Sequence, residues 1–84
     1  RTCGEDIVYS LAEVREKETK EILIETAEGC VCADYVNLYP PGIPFICPGE
    51  RITDEVITYI AALREAGEKV IGVNAEGEII VGVE

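Results

Sequence analysis

All four prolines of this 84-residue chain fall in one stretch, VNLYPPGIPFICPGER at residues 36–51, together with Gly42 and Gly49. A proline ring locks φ and pushes the residue before it toward extended geometry, so Tyr39, Pro40, Ile43 and Cys47 are turned away from helix. One turn is expected at Pro41-Gly42 and another at Pro48-Gly49. Leu38, Tyr39, Ile43, Phe45 and Ile46 place apolar side chains along the stretch. It therefore reads as a stiff, extended strap with one side resting on a core, and much of its backbone freedom is gone before folding begins.

The flanks supply the regular structure. On the N-terminal side, residues 1–9 read as a lead-in with a strand expected at Asp6–Tyr9. Ser10 and Glu13 have capping-box spacing and open a short surface helix. Lys20–Glu25 is strand-like, Thr26–Gly29 is a turn ended by Gly29, and Cys30–Ala33 is short and extended. Beyond the strap, Thr53 caps the clearest helix, expected at about 54–66. Asp54 and Glu55 lie in its favourable first turn, Val56, Ile57, Ile60 and Leu63 follow at helical spacing, and Gly67 is the stop. Val70–Val73 and Glu78–Val83 are β-branched runs joined by Asn74–Gly77, which predicts a C-terminal hairpin. Ile and Val together outnumber Leu by 20 to 4, so strands should supply most of the core. The fold class is α+β: one main helix against a small sheet, a short N-terminal helix, and the strap alongside, all in a single domain spanning 1–84.

Charge and missing residue types narrow the function. With 7 basic and 17 acidic residues the formal charge is −10. That argues against nucleic acid or an anionic membrane as partner, because both require a basic surface. An acidic surface confers solubility and also raises the local concentration of cationic ligands. There is no histidine and Ser10 is the only serine, which removes the Ser/His/Asp and Cys/His nucleophile systems. No phosphate-cradling glycine loop is present. Lys17, Lys20 and Lys69 sit in polar surroundings, whereas a Schiff-base lysine needs a desolvated pocket or a cationic neighbour. No catalytic constellation emerges.

Cys3, Cys30, Cys32 and Cys47 lack the C-x2-C spacing of zinc ribbons. Free cysteine behaves as a small buried hydrophobe, so packing in a cytosolic protein is the favoured reading, with a Cys-ligated metal domain as a weaker rival. The chain begins at Arg1 and contains no methionine, which suggests a piece of a longer protein.

Tyr39-Pro40-Pro41-Gly42-Ile43-Pro44 followed by Pro48-Gly49-Glu50-Arg51-Ile52-Thr53 resembles the YPPGIP…PGE-x-I-T signature of the C-terminal domain of the Orn/Lys/Arg decarboxylases. Ala27-Glu28-Gly29-Cys30-Val31-Cys32-Ala33-Asp34 upstream is similar to that family's A-x-G-x-I-x-A-E stretch. The helix from Thr53, the Ala66-Gly67 stop and Val70-Ile71-Gly72 follow the pattern downstream. The likeness covers roughly residues 10–83. Three cysteines (Cys30, Cys32, Cys47) stand at positions variable in that family.

The resemblance implies a non-catalytic domain of a pyridoxal-phosphate (PLP) enzyme that decarboxylates ornithine, lysine or arginine. The cofactor would be held by a large preceding domain, so no catalytic, cofactor or metal residue is expected in this chain. Its implied partners are that large domain, other subunits of a homo-oligomer, and the cationic amino acid near whose entrance the domain would pack. Tyr39, Pro41, Gly42, Ile43, Pro44 and Glu50 are the candidates for that entrance or interface. Fold-internal packing is the competing role for Tyr39 to Pro44. For Glu50 the competing role is a carboxylate neutralised by the helix start. A free-standing interaction module of the same fold is the alternative for the whole chain.

Overall fold

The computed structural model describes residues 4–38 and 43–84. Ser10 caps helix α1 (Leu11–Arg15) through the reciprocal capping box with Glu13, and only Val14 of that helix is buried. The chain then runs through strand β1 (Thr19–Leu23), a single 3-10 turn at Ile24–Thr26, and β2 (Val31–Cys32). The proline-rich region supplies β3 (Val36–Leu38) and β4 (Ile43–Ile46), and helix α2 (Asp54–Glu65) and strands β5 (Val70–Ile71) and β6 (Glu78–Gly82) complete the fold. In α2 the Thr53 hydroxyl accepts from the Val56 amide, as expected of that cap, and Arg64 complements the negative C-terminal end. The expected stop holds to within a residue, with Ala66 as C-cap.

The strands form two antiparallel three-stranded sheets, ordered β1-β6-β2 and β4-β3-β5. In the first, Ile22 faces Ile79 and Lys20 faces Val81, and Ile79 and Val81 are buried. In the second, Leu38 faces both Ile43 and Val70. Both sheets and the Val56, Ile57 and Ile60 face of α2 close on one core containing Ile24, Cys32, Val36, Ile46, Ile52, Ile79 and Val81.

Two expectations about strand partners are corrected. The C-terminal hairpin is reduced to one bridge, Val73 to Ile79, because β5 pairs with β3 and β6 pairs with β1 and β2. The turn itself is built as expected, with Gly77 donating to the Asn74 carbonyl at 3.0 Å and the Asn74 side chain holding the Glu78 amide at 2.8 Å. Gly72 lies with its backbone against the Tyr35 carbonyl at φ +103°, and this bend sends the two runs to different sheets. The single small sheet is correspondingly two.

The strap also proves to be two structures. Its first half folds back as β3 against β4. Val36 faces Ile46 while Asn37 faces Pro44, so Phe45 is an extra residue in the edge strand. A bulge on an edge strand is where a proline is tolerated, since Pro44 has no amide to donate. The second half lies against β2: the Gly49 amide donates to the Cys32 carbonyl and the Cys32 amide to the Glu50 carbonyl, while the Gly29 amide donates to Ile52 and the Ile52 amide to Cys30, all at 2.8 Å. On its other side Ile7 bridges to Glu50, which is all that forms of the strand expected at Asp6–Tyr9.

Candidate functional site

The Pro48-Gly49 turn is present, closed by the Glu50 amide donating to the Cys47 carbonyl at 3.2 Å. Gly49 takes φ +94° there, and a Cβ at this position would collide with the Tyr9 carbonyl oxygen. Only glycine meets both conditions without displacing backbone. The Gly49 carbonyl in turn accepts from Val8 at 2.9 Å and Tyr9 at 3.3 Å. This turn therefore holds the N-terminal segment on one side and β2 on the other.

Glu50 is fully buried, the one charged residue among those described that is. One carboxylate oxygen accepts from the Cys47 amide at 2.5 Å and the other from the Asp6 amide at 3.4 Å. A buried carboxylate is tolerated where backbone donors replace its water. Its described contacts are inside the chain, a bracing role that neither sequence-level alternative named. Of the other candidates, only Ile43 and Pro44 are described, both on β4. Pro44 is exposed on β4, Ile43 begins that strand, and Tyr39, Pro41 and Gly42 lie outside the described residues. Glu50 is thus buried while Pro44 is exposed.

A polar clasp beside the turn joins Tyr9, Arg51 and Glu84. Arg51 Nη1 donates to the Gly29 carbonyl at 2.6 Å and to Glu84 at 3.0 Å, and Tyr9 donates its hydroxyl to Glu84 at 2.9 Å. The Arg51 hydrogen bond holds the Glu84 carboxyl below its ordinary range, with Tyr9 adding to the effect. Accepting from it, Glu84 raises the Tyr9 phenol. Lys17 stands 4.2 Å over the Tyr9 ring. Sequence periodicity could not find this group, because its members are spread from residue 9 to residue 84.

Buried Cys32 has its thiol pushed up to about 11 by desolvation, which makes it a packing residue and a poor nucleophile. Cys30 and Cys32 are free thiols. Cys47 is disulfide-bonded, a departure from the expectation that the cysteines act as reduced packing residues. Among the described residues no three His, Cys, Asp or Glu side chains converge to hold a metal ion, and no helix is long and apolar enough to cross a membrane.

An open cleft of about 540 Å³ lies between the end of α2 and the 67–75 segment, lined in part by Glu25, Arg64, Glu65, Glu68 and Lys69. PLP does not fit these side chains. Lys20 and Lys69 are exposed and Lys17 is half-buried against a tyrosine, so none occupies the dry pocket a Schiff-base amine requires.

The second sheet also has an outward face that strand patterning did not flag. Asn37 sits across from Pro44 on one side and Ile71 on the other, with Ile71 42% exposed. Its side-chain Oδ1 is buried with no hydrogen-bond partner among the described residues. A polar residue between Val36 and Leu38 was the available signal.

Comparison with known proteins gives this geometry its setting. Over 55 residues the chain is 49% identical to an arginine decarboxylase of Bacillus anthracis, a stretch that is 66% of this chain and 11% of that protein. It is 36% identical over 52 residues to the inducible lysine decarboxylase of Escherichia coli K12, covering 58% of this chain and 7% of the relative. The solved E. coli constitutive lysine decarboxylase shares the fold with a TM-score of 0.80 at 23% identity, over 93% of this chain and 14% of that one. The chain thus spans about a tenth of the length of the curated relatives it matches. The family model for the Orn/Lys/Arg decarboxylase C-terminal domain matches residues 8–83, and the chain belongs to that family.

Proposed function

We propose that this chain is the non-catalytic C-terminal domain of a cytosolic, PLP-dependent decarboxylase of ornithine, lysine or arginine, packed on the catalytic domain beside the substrate entrance. The observation that carries the reading is that a fold with its own core corresponds to about a tenth of its relatives' length. The chemistry then belongs to the remaining nine-tenths. PLP, when bound there, supplies the electron sink for loss of the carboxylate.

This domain contributes a charged boundary. A formal charge of −10 on 84 residues raises the local concentration of a cationic amino acid and disfavours anions. A preformed surface also loses little ordering entropy when it docks against the large domain or a neighbouring subunit.

The test is kinetic, in the full-length enzyme. Glu16, Glu18, Glu21 and Glu25 are exposed and are replaced together by Gln. KM for the basic amino acid should rise severalfold at low ionic strength with kcat unchanged, and the difference should close in high salt. Decarboxylation by the 84-residue chain supplied with PLP alone would overturn the reading.

A further inference from the structure

We propose that the outward face of the β4-β3-β5 sheet, centred on Asn37 and Ile71, is the surface on which the catalytic part of the parent chain seats. The inference rests on the function proposed above and names the face that would carry it.

The two sheets differ on their outward sides. On the first, Glu21 faces Ile80 and Leu23 faces Glu78, and Asn74 donates to both Glu21 and Glu78 at 3.1 and 3.0 Å. Its charges are solvated and its amide is satisfied, as a free surface requires. On the second, the row across the strands is Pro44, Asn37 and Ile71, with no charge. Tyr35, whose carbonyl lies against Gly72 at the end of β5, adds a side chain that is 47% exposed.

Asn37 supplies the second observation. Its Oδ1 is shielded from water yet receives no donor among the described residues. Buried acceptors are almost always paired, because desolvating one without a partner is costly. An apolar row with an unpaired acceptor at its centre matches a partner that brings apolar side chains and one N–H or O–H donor. The occupant is the rest of the parent chain. In the arginine decarboxylase of Bacillus anthracis the matched stretch is 11% of the protein, so most of such a parent chain lies outside these residues. Its tether gives it a high effective concentration at this face.

The experiment uses the full-length enzyme carrying either Ile71→Cys or Leu23→Cys. The two positions are matched in exposure here, 42% and 47%. Alkylation by N-ethylmaleimide is followed peptide by peptide by mass spectrometry, so the native thiols do not interfere. Ile71→Cys should react at least tenfold more slowly than Leu23→Cys, and adding Asn37→Leu should speed its reaction. Equal and rapid reaction at both sites would overturn the assigned face, and only decarboxylation by the 84-residue chain with PLP alone would overturn the proposed function as well. Protection at Leu23→Cys with free reaction at Ile71→Cys would overturn the assigned face alone and leave the proposed function standing. Protection of Ile71→Cys that disappears on dilution would assign the face to a second copy, which also refutes the inference.

Discussion

Replacing Glu50 separates an internal brace from a side chain that reaches toward substrate. In Glu50→Gln the amide oxygen can keep the Cys47 amide, but the carboxylate charge is gone and the NH2 faces the Asp6 amide, which donates across 3.4 Å in the parent. Hydrogen bonds to charged groups contribute about 1.5–3 kcal/mol and neutral ones about 1, so Gln should cost about 1–2 kcal/mol. Glu50→Ala leaves the Cys47 amide buried without its acceptor and opens a small cavity, which together should cost about 2–4 kcal/mol. A domain of 84 residues has roughly 4–13 kcal/mol in total, so the Ala variant is measurably weakened. Urea unfolding followed by circular dichroism should give the order parent, Gln, Ala. If both variants unfold within about 0.5 kcal/mol of the parent while decarboxylation in the full-length enzyme collapses, Glu50 acts outward and the bracing account is wrong.

Gly49→Ala should destabilise by about 3 kcal/mol, since a positive φ alone costs about 1–2 kcal/mol and the new Cβ meets the Tyr9 carbonyl; the urea midpoint reads this directly. Cys32 makes the fold sensitive to alkali: the unfolded thiol ionises near its ordinary value of 9.0 while the buried one holds to about 11. The stability this contributes is complete below pH 9 and falls by on the order of 2–3 kcal/mol as pH rises to about 11, a slope that Cys32→Ala should flatten. The Glu84 clasp titrates in the opposite sense. Its carboxyl is depressed by Arg51, so its contribution is present above the ordinary value of 4.5 and is lost as pH falls through the lower folded value. Arg51→Gln should weaken that acid dependence, leaving the part due to Tyr9, in urea midpoints measured downward from about pH 6.

Local chemistry was legible in the chain. The Ser10 and Thr53 caps, the stop after Arg64 and the Pro48-Gly49 turn each depend on a few adjacent residues whose backbone limits are intrinsic. The signature around those prolines also identified the family that the comparisons show. Partner choice was not legible. Val70–Ile71 and Glu78–Gly82 both read as strands, but a β-branched run states only that it fits a pleated, half-buried surface and leaves its neighbour open. Burial of Glu50 is likewise a tertiary outcome, since its carboxylate is dry only because the 6–9 segment and β2 close over the turn from opposite sides. The Asn37 face arises in the same way, when β3 is set between Pro44 and Ile71. Sequence alone determined the punctuation of this protein, because caps and turns are short-range. Tertiary structure decided which strands meet and which polar atoms lose water, because those depend on contacts between residues far apart in the chain.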